Sequence, residues 1–191
     1  MTENAYAPPE ANLLSEDVQA SGFYVVARWK FILLSVLSFG LYFYYWSYKN
    51  WSLFKQRTQE ESWPLARGLF YIFFVHRLFR QADKAIHDSG RKSDWDLEQW
   101  ATVFVVLTLA AAVLEKLSGQ FENLAYLAAY AVALLPVRAY VASEGQRLIN
   151  LAANDPEGQS NNRLNVWNFL IIVPGLLLWA MVLLGLWVIF R

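Results

Sequence analysis

The chain has 191 residues, 57% hydrophobic and 17% aromatic, with a positive mean hydropathy of +0.25, a balance outside the range of ordinary soluble domains. Sixteen Lys and Arg against sixteen Asp and Glu leave no net charge, so there is no basic footprint and no nucleic-acid partner is expected. Zero cysteines exclude disulfides, thiolate metal sites and a cysteine nucleophile.

Residues 1–22 carry Glu3, Glu10, Glu16, Asp17 and the run Ala7-Pro8-Pro9, with no Lys or Arg and no apolar core. They read as a disordered N-terminal tail without a cleavable signal. Residues 23–191 read as a single helical membrane domain, an all-α integral membrane protein. Four transmembrane helices are expected at about 31–48, 100–117, 122–141 and 165–190, with one long amphipathic interfacial helix at about 64–88. The first span rests on the uncharged run Phe31 to Tyr48, roughly 27 Å as a helix against a hydrocarbon core of about 30 Å. Trp29 and Lys30 flank it on one side and Trp46, Lys49 and Trp51 on the other, as snorkelling cations and amphipathic rings do at a membrane interface.

Between Arg67 and His76 only Gly68 to Val75 is uncharged, about 12 Å of helix and too short to cross. Extended to Ile86, the segment places Val75, Leu78, Phe79, Ala82 and Ile86 on one stripe and Arg77, Arg80, Gln81 and Lys84 largely opposite. That pattern suits a helix lying in the interface, started by Trp63-Pro64 and ended by Gly90. If this segment crosses instead, there are five spans.

Trp100 to Leu114 and Asn123 to Val137 predict a helical hairpin turning at Ser118-Gly119-Gln120. Ala125, Ala129 and Ala133 recur every four residues; with Ser35 and Ser38 on the first run they are the helix-packing candidates. Pro136 bends the end of its helix, whose pattern continues through Leu148. Asn154 to Asn162 reads as a loop, and Leu164 to Phe190 as a last span broken at Pro174-Gly175, so Pro136, Pro174 and Gly175 are the helix-bend candidates. Nine Lys and Arg lie between Lys49 and Gln99, and three more at Arg138, Arg147 and Arg163. Placing both groups inside puts residues 80–99 in the cytoplasm and the C-terminus in the periplasm, whereas the side of the tail depends on whether residues 65–79 cross.

Little in the sequence carries chemistry. His76 and His87 share a helix face but lie about 16 Å apart, too far to hold one metal. His87 with Asp83 and Asp88 reads as a solvated face rather than a site. No phosphate-binding loop, dinucleotide fingerprint, zinc-protease helix or Ser-centred elbow occurs, so no catalytic residue, metal or cofactor is expected and the chain reads as non-enzymatic. Glu115, Glu122 and Arg138 fall at the ends of the expected helices, leaving no ionisable group at mid-depth. Arg77, Arg80 and Lys84, beside the aromatic crowd from Tyr42 to Trp51, either fix the depth of the bundle or form a platform for anionic lipid or a partner, each cation worth about 1 kcal/mol.

The blocks Phe23-Tyr24-Val25-Val26, Lys30-Phe31, Ser38-Phe39-Gly40-Leu41-Tyr42 and Tyr45-Trp46-Ser47-Tyr48-Lys49-Asn50-Trp51 resemble a bacterial family of uncharacterised small integral inner-membrane proteins. In that family a first span ends in a Phe-Gly-(Leu/Ile)-Tyr...Tyr-Trp-x-Tyr-(Lys/Arg) signature. The stretch Asn161 to Asn168 followed by Pro174-Gly175 and Trp179 is similar to the last span of its longer members, and Asn4 to Ala11 is similar to an Asn-Pro-Tyr-Ala-Pro-Pro tail with Ala5 in place of proline. The resemblance implies a multi-pass protein of the bacterial inner (cytoplasmic) membrane and supplies no activity. The expected role is a scaffold or partner-binding subunit among membrane lipids, anionic ones included, engaging an unknown membrane protein or a second copy. The alternative is a small oligomeric channel or transporter subunit. A lipid-directed enzyme would require a polar cleft containing Glu115, Glu122 or Arg138.

Overall fold

A computed structural model describes residues 21–93, 96–121 and 126–189, except the side chains of Leu97 and Ile189. The tail up to residue 20, Glu122, the packing candidate Ala125 and the C-terminal Arg191 lie outside the described residues. Among those described the chain is all-helical: α1 Arg28–Leu37, α2 Leu41–Thr58, α3 Pro64–Leu69, α4 Tyr71–Asp88, α5 Leu97–Gln120, α6 Leu127–Ala152 and α7 Val166–Ile189, with a 3-10 turn at Gln159–Asn161. Three helices, α5, α6 and α7, are long and apolar enough to cross a membrane.

The run Phe31 to Tyr48, expected as one spanning helix, is two. α1 stops at Leu37, Phe39 and Gly40 take left-handed backbone (φ 52° and 86°), and the Ser38 hydroxyl accepts the Tyr42 N–H at 2.9 Å to start α2. Glycine tolerates that conformation without a Cβ clash, and a capping serine satisfies a donor that the new helix leaves open. The chain then doubles back: the Phe31 ring meets Tyr42 at 5.8 Å, Phe43 at 6.1 Å and Trp46 at 5.5 Å. Apolarity here serves protein packing, and Phe31, Leu34, Phe43, Trp46 and Trp51 are all enclosed.

The segment expected as one interfacial helix is two pieces hinged at Phe70, α3 and α4, with Pro64 in the first turn of α3. The stripe Val75, Leu78, Phe79, Ala82 and Ile86 is fully buried, packed against α5 and α6 rather than immersed in headgroups. The Phe79 ring sits directly on the backbone of Gly145, where any side chain would collide with it.

α5 and α6 pack on each other as expected of a hairpin, but α5 stays helical through Ser118-Gly119-Gln120, where the turn was expected. α6 runs unbroken through Pro136 to Ala152, and α7 runs unbroken through Pro174-Gly175, so neither proline interrupts its helix. Pro136 is an exposed residue, and Gly175 lets the Leu37 carbonyl approach the α7 backbone. Arg91 donates to the Leu151 carbonyl at 2.6 Å, and Val26 donates to Asn150 Oδ1 at 3.3 Å. Residues 21–28, 91 and 150–163 therefore gather at one end of the α5–α6 hairpin, forming a protein body from which the long helices project.

Candidate functional site

The body is organised by the irregular segment Tyr24 to Ala27, whose backbone groups are hydrogen-bonded largely by side-chain amides. Asn50 Oδ1 accepts the Tyr24 N–H (3.0 Å), Gln146 Nε2 donates to the Tyr24 carbonyl (3.0 Å), and Asn161 Nδ2 donates to the Val25 carbonyl (2.9 Å). Asn150 takes both groups of Val26, accepting its N–H and donating to its carbonyl at 3.0 Å. Gln146 and Asn150, one turn apart on α6, also bond each other at 2.6 Å, and Trp46 Nε1 donates to Gln146 Oε1 at 2.5 Å. Every one of these amides answers a backbone group that burial would otherwise leave unpaired.

Charges close the body. Glu144, 3% exposed, pairs with Arg28 and, at 3.1 Å, with Arg147, while Arg28 Nε donates to Ser143 at 3.0 Å. Lys30 Nζ donates to Asn161 Oδ1 and the Arg163 carbonyl, both at 2.7 Å. Burial holds its ammonium below the usual lysine range. Asp155 accepts the Gln159 and Ser160 N–H groups at 2.8 Å; burial acts against its charge, but these bonds prevail and hold its carboxyl below the usual range.

Several interface candidates are thereby reassigned. Lys30 is 1% exposed and locks the α6–α7 loop onto α1; it does not snorkel. Trp46 and Trp51 are enclosed, Trp51 beneath the Arg67 guanidinium at 4.2 Å, because these rings fill the core between α2 and its neighbours. Trp29 remains half exposed and Lys49 partly exposed. Of the proposed cationic platform, Arg77 is held by Glu60 at 2.8 Å, a carboxylate it shares with Arg67, while Arg80 and Lys84 remain exposed, Arg80 within 3.4 Å of Glu98. Among the packing candidates Ser35 is buried, Ser38 caps α2, Ala129 is half-buried and Ala133 is exposed, so the described alanines do not face a packed helix along their whole row. His76 lies 3.2 Å from Thr102, His87 bonds the Asp83 carbonyl, and no three-residue metal-ligand cluster occurs among the described residues.

The turn Ser38-Phe39-Gly40 lies between two concavities. On the α7 side an apolar groove of about 440 Å³ runs between Leu37, Phe39, Tyr42 and Tyr45 and the Leu170, Pro174 and Leu178 face of α7. Trp179 of α7 stacks on Phe39 at 5.0 Å and donates to the Val36 carbonyl at 3.0 Å. On the other side a cleft of about 240 Å³ is lined by Phe39, Ala111, Glu115, Ala128, Val132, Leu135 and Arg138, among others. Arg138 is not at a helix end but in the interior of α6, its Cζ 5.6 Å from the centre of the Phe43 ring. α6 continues fourteen residues beyond it, and from Val141 to Asn150 all but Arg147 are buried in protein, where apolarity is no longer the requirement.

Neither this turn nor the amide network was anticipated from sequence. The available signals were a Ser-Phe-Gly triplet inside an apolar run and two amides, Gln146 and Asn150, spaced four apart on a helix. In comparison with known proteins the chain matches no family model, no curated protein and no solved structure.

Proposed function

We propose that this chain is a non-enzymatic, multi-pass protein of the bacterial inner membrane acting as a scaffold or partner-binding subunit. In this reading α5, α6 and α7 cross, and the α1–α2 pair dips in from the body and turns back at Gly40. A short helix pair inside protein is the form in which such a turn is tolerated at membrane depth. With the body inside, residues 80–99 face the cytoplasm together with most of the Lys and Arg, and α7 ends in the periplasm.

The observation that carries the partner reading is α7. It packs principally on α1, through Gly175 against Leu37 and Trp179 against Val36, and leaves Val173, Leu176, Leu177, Met181 and Leu184 uncovered. Photo-crosslinking residues placed at positions 177 and 184 in native membranes test it. One discrete protein adduct at these positions, absent from position 109 on α5, is expected; lipid adducts alone at all three would overturn the reading. The charged cleft at Arg138 favours the second reading, a small oligomeric channel or transporter subunit. Adducts between copies that close into a ring of defined size would select it.

A further inference from the structure

The cleft between α5, α6 and the Phe39 turn holds two opposite charges that do not satisfy each other. Arg138 lies eleven residues into α6, roughly 16 Å from its start. Its Nε is buried without an acceptor, and its Nη2 reaches only the Tyr71 hydroxyl at 3.4 Å. No ion pair to Arg138 occurs among the described residues. A cation at this depth is costly unless an anion accompanies it, and a guanidinium fork is suited to two oxygens of one phosphate. Glu115, an exposed residue of α5 five positions before that helix ends, lines the same cleft and contributes a negative charge to it. The remaining walls, Ala111, Ala128, Val132 and Leu135, are small or apolar. An anion alone would meet repulsion from Glu115, and a cation alone would meet repulsion from Arg138. A ligand carrying both charges answers each.

We propose that this cleft binds the zwitterionic headgroup of a membrane phospholipid of the phosphoethanolamine class, with the phosphate on Arg138 and the ammonium on Glu115. The site is independent of what α7 engages. Its lateral walls belong to the two helices of the hairpin, so an acyl chain attached to the headgroup remains against their apolar faces.

The full-length protein in detergent, titrated with phosphatidylethanolamine and with phosphatidylglycerol under native mass spectrometry, tests the assignment. The wild type is expected to hold the ethanolamine lipid about tenfold more tightly than the glycerol lipid. Glu115→Gln, a change at an exposed position, is expected to erase that preference while leaving phosphate-dependent binding. Arg138→Gln is expected to lose both lipids. Equal binding of the two lipids by the wild type, or an unchanged preference in Glu115→Gln, would overturn the proposal whether or not the Arg138 variant folds. Soluble phosphoethanolamine binding as tightly as the lipid would overturn the assignment to a membrane source.

Discussion

The two halves of α6 make the sharpest contrast in the molecule. From Ala128 to Val137 the helix is largely half-buried or bare, with Tyr130 and Val137 exposed and Leu135 alone enclosed, whereas from Val141 to Asn150 every residue but Arg147 is buried. Yet the bare half is the apolar one, and the enclosed half carries Ser143, Glu144, Gln146 and Asn150. Within the body, specific partners make polar side chains affordable; outside it, only apolar ones suit hydrocarbon. Apolarity and burial in protein are thus separate properties in this chain.

Four changes probe that contrast. Asn150→Leu, which leaves both backbone groups of Val26 and one arm of Gln146 unpaired, is expected to cost about 4 kcal/mol, read as a lowered midpoint in detergent unfolding. Leu177→Lys on the bare face of α7 is expected to leave the body intact but cost about 3 kcal/mol of insertion, measured as the inserted fraction of the last helix. Gly145→Ala forces a methyl into the Phe79 ring for about 2 kcal/mol, and Phe79→Leu in the same chain should recover part of that loss. For binding to anionic liposomes, Arg80→Gln with Lys84→Gln should weaken affinity by up to about 1 kcal/mol per cation. Arg77→Gln adds little, because Glu60 already engages that side chain.

The smallest effect is one of acidity. The Asp155 carboxyl is held below its ordinary range, so its contribution to stability is complete above the unfolded carboxylate value and disappears as pH falls through the lower folded value. Asp155→Asn should lower the unfolding midpoint near neutrality and flatten its fall with pH across that acidic window, so that variant and wild type converge at the acid end.

The length of the uncharged runs made α5, α6 and α7 legible in the sequence, and the helical period did the same for the buried stripe of α4 from Val75 to Ile86. Hydropathy does not say which solvent an apolar face meets, so the Phe31 to Tyr48 run reads as a crossing helix although left-handed backbone at Gly40 divides it. The buried positions of Trp46, Trp51 and Lys30 share that cause: the same rings and cation suit a headgroup layer or a protein core. Arg138 and Glu115 were legible as charges bordering apolar runs. Their common cleft was not, because it depends on the Phe39 turn coming between α5 and α6.

The segment Tyr24 to Ala27 has a consequence for how the molecule is made. Its hydrogen-bonding partners on α6 and in the following loop lie 122 to 136 residues further along. As synthesis proceeds, residues 24–27 leave the ribosome long before Gln146, Asn150 and Asn161 exist. Until then only Asn50 of the first helix pair can answer this segment, and water occupies the other backbone groups. Closure of the body therefore waits until α6 and the final loop have been translated.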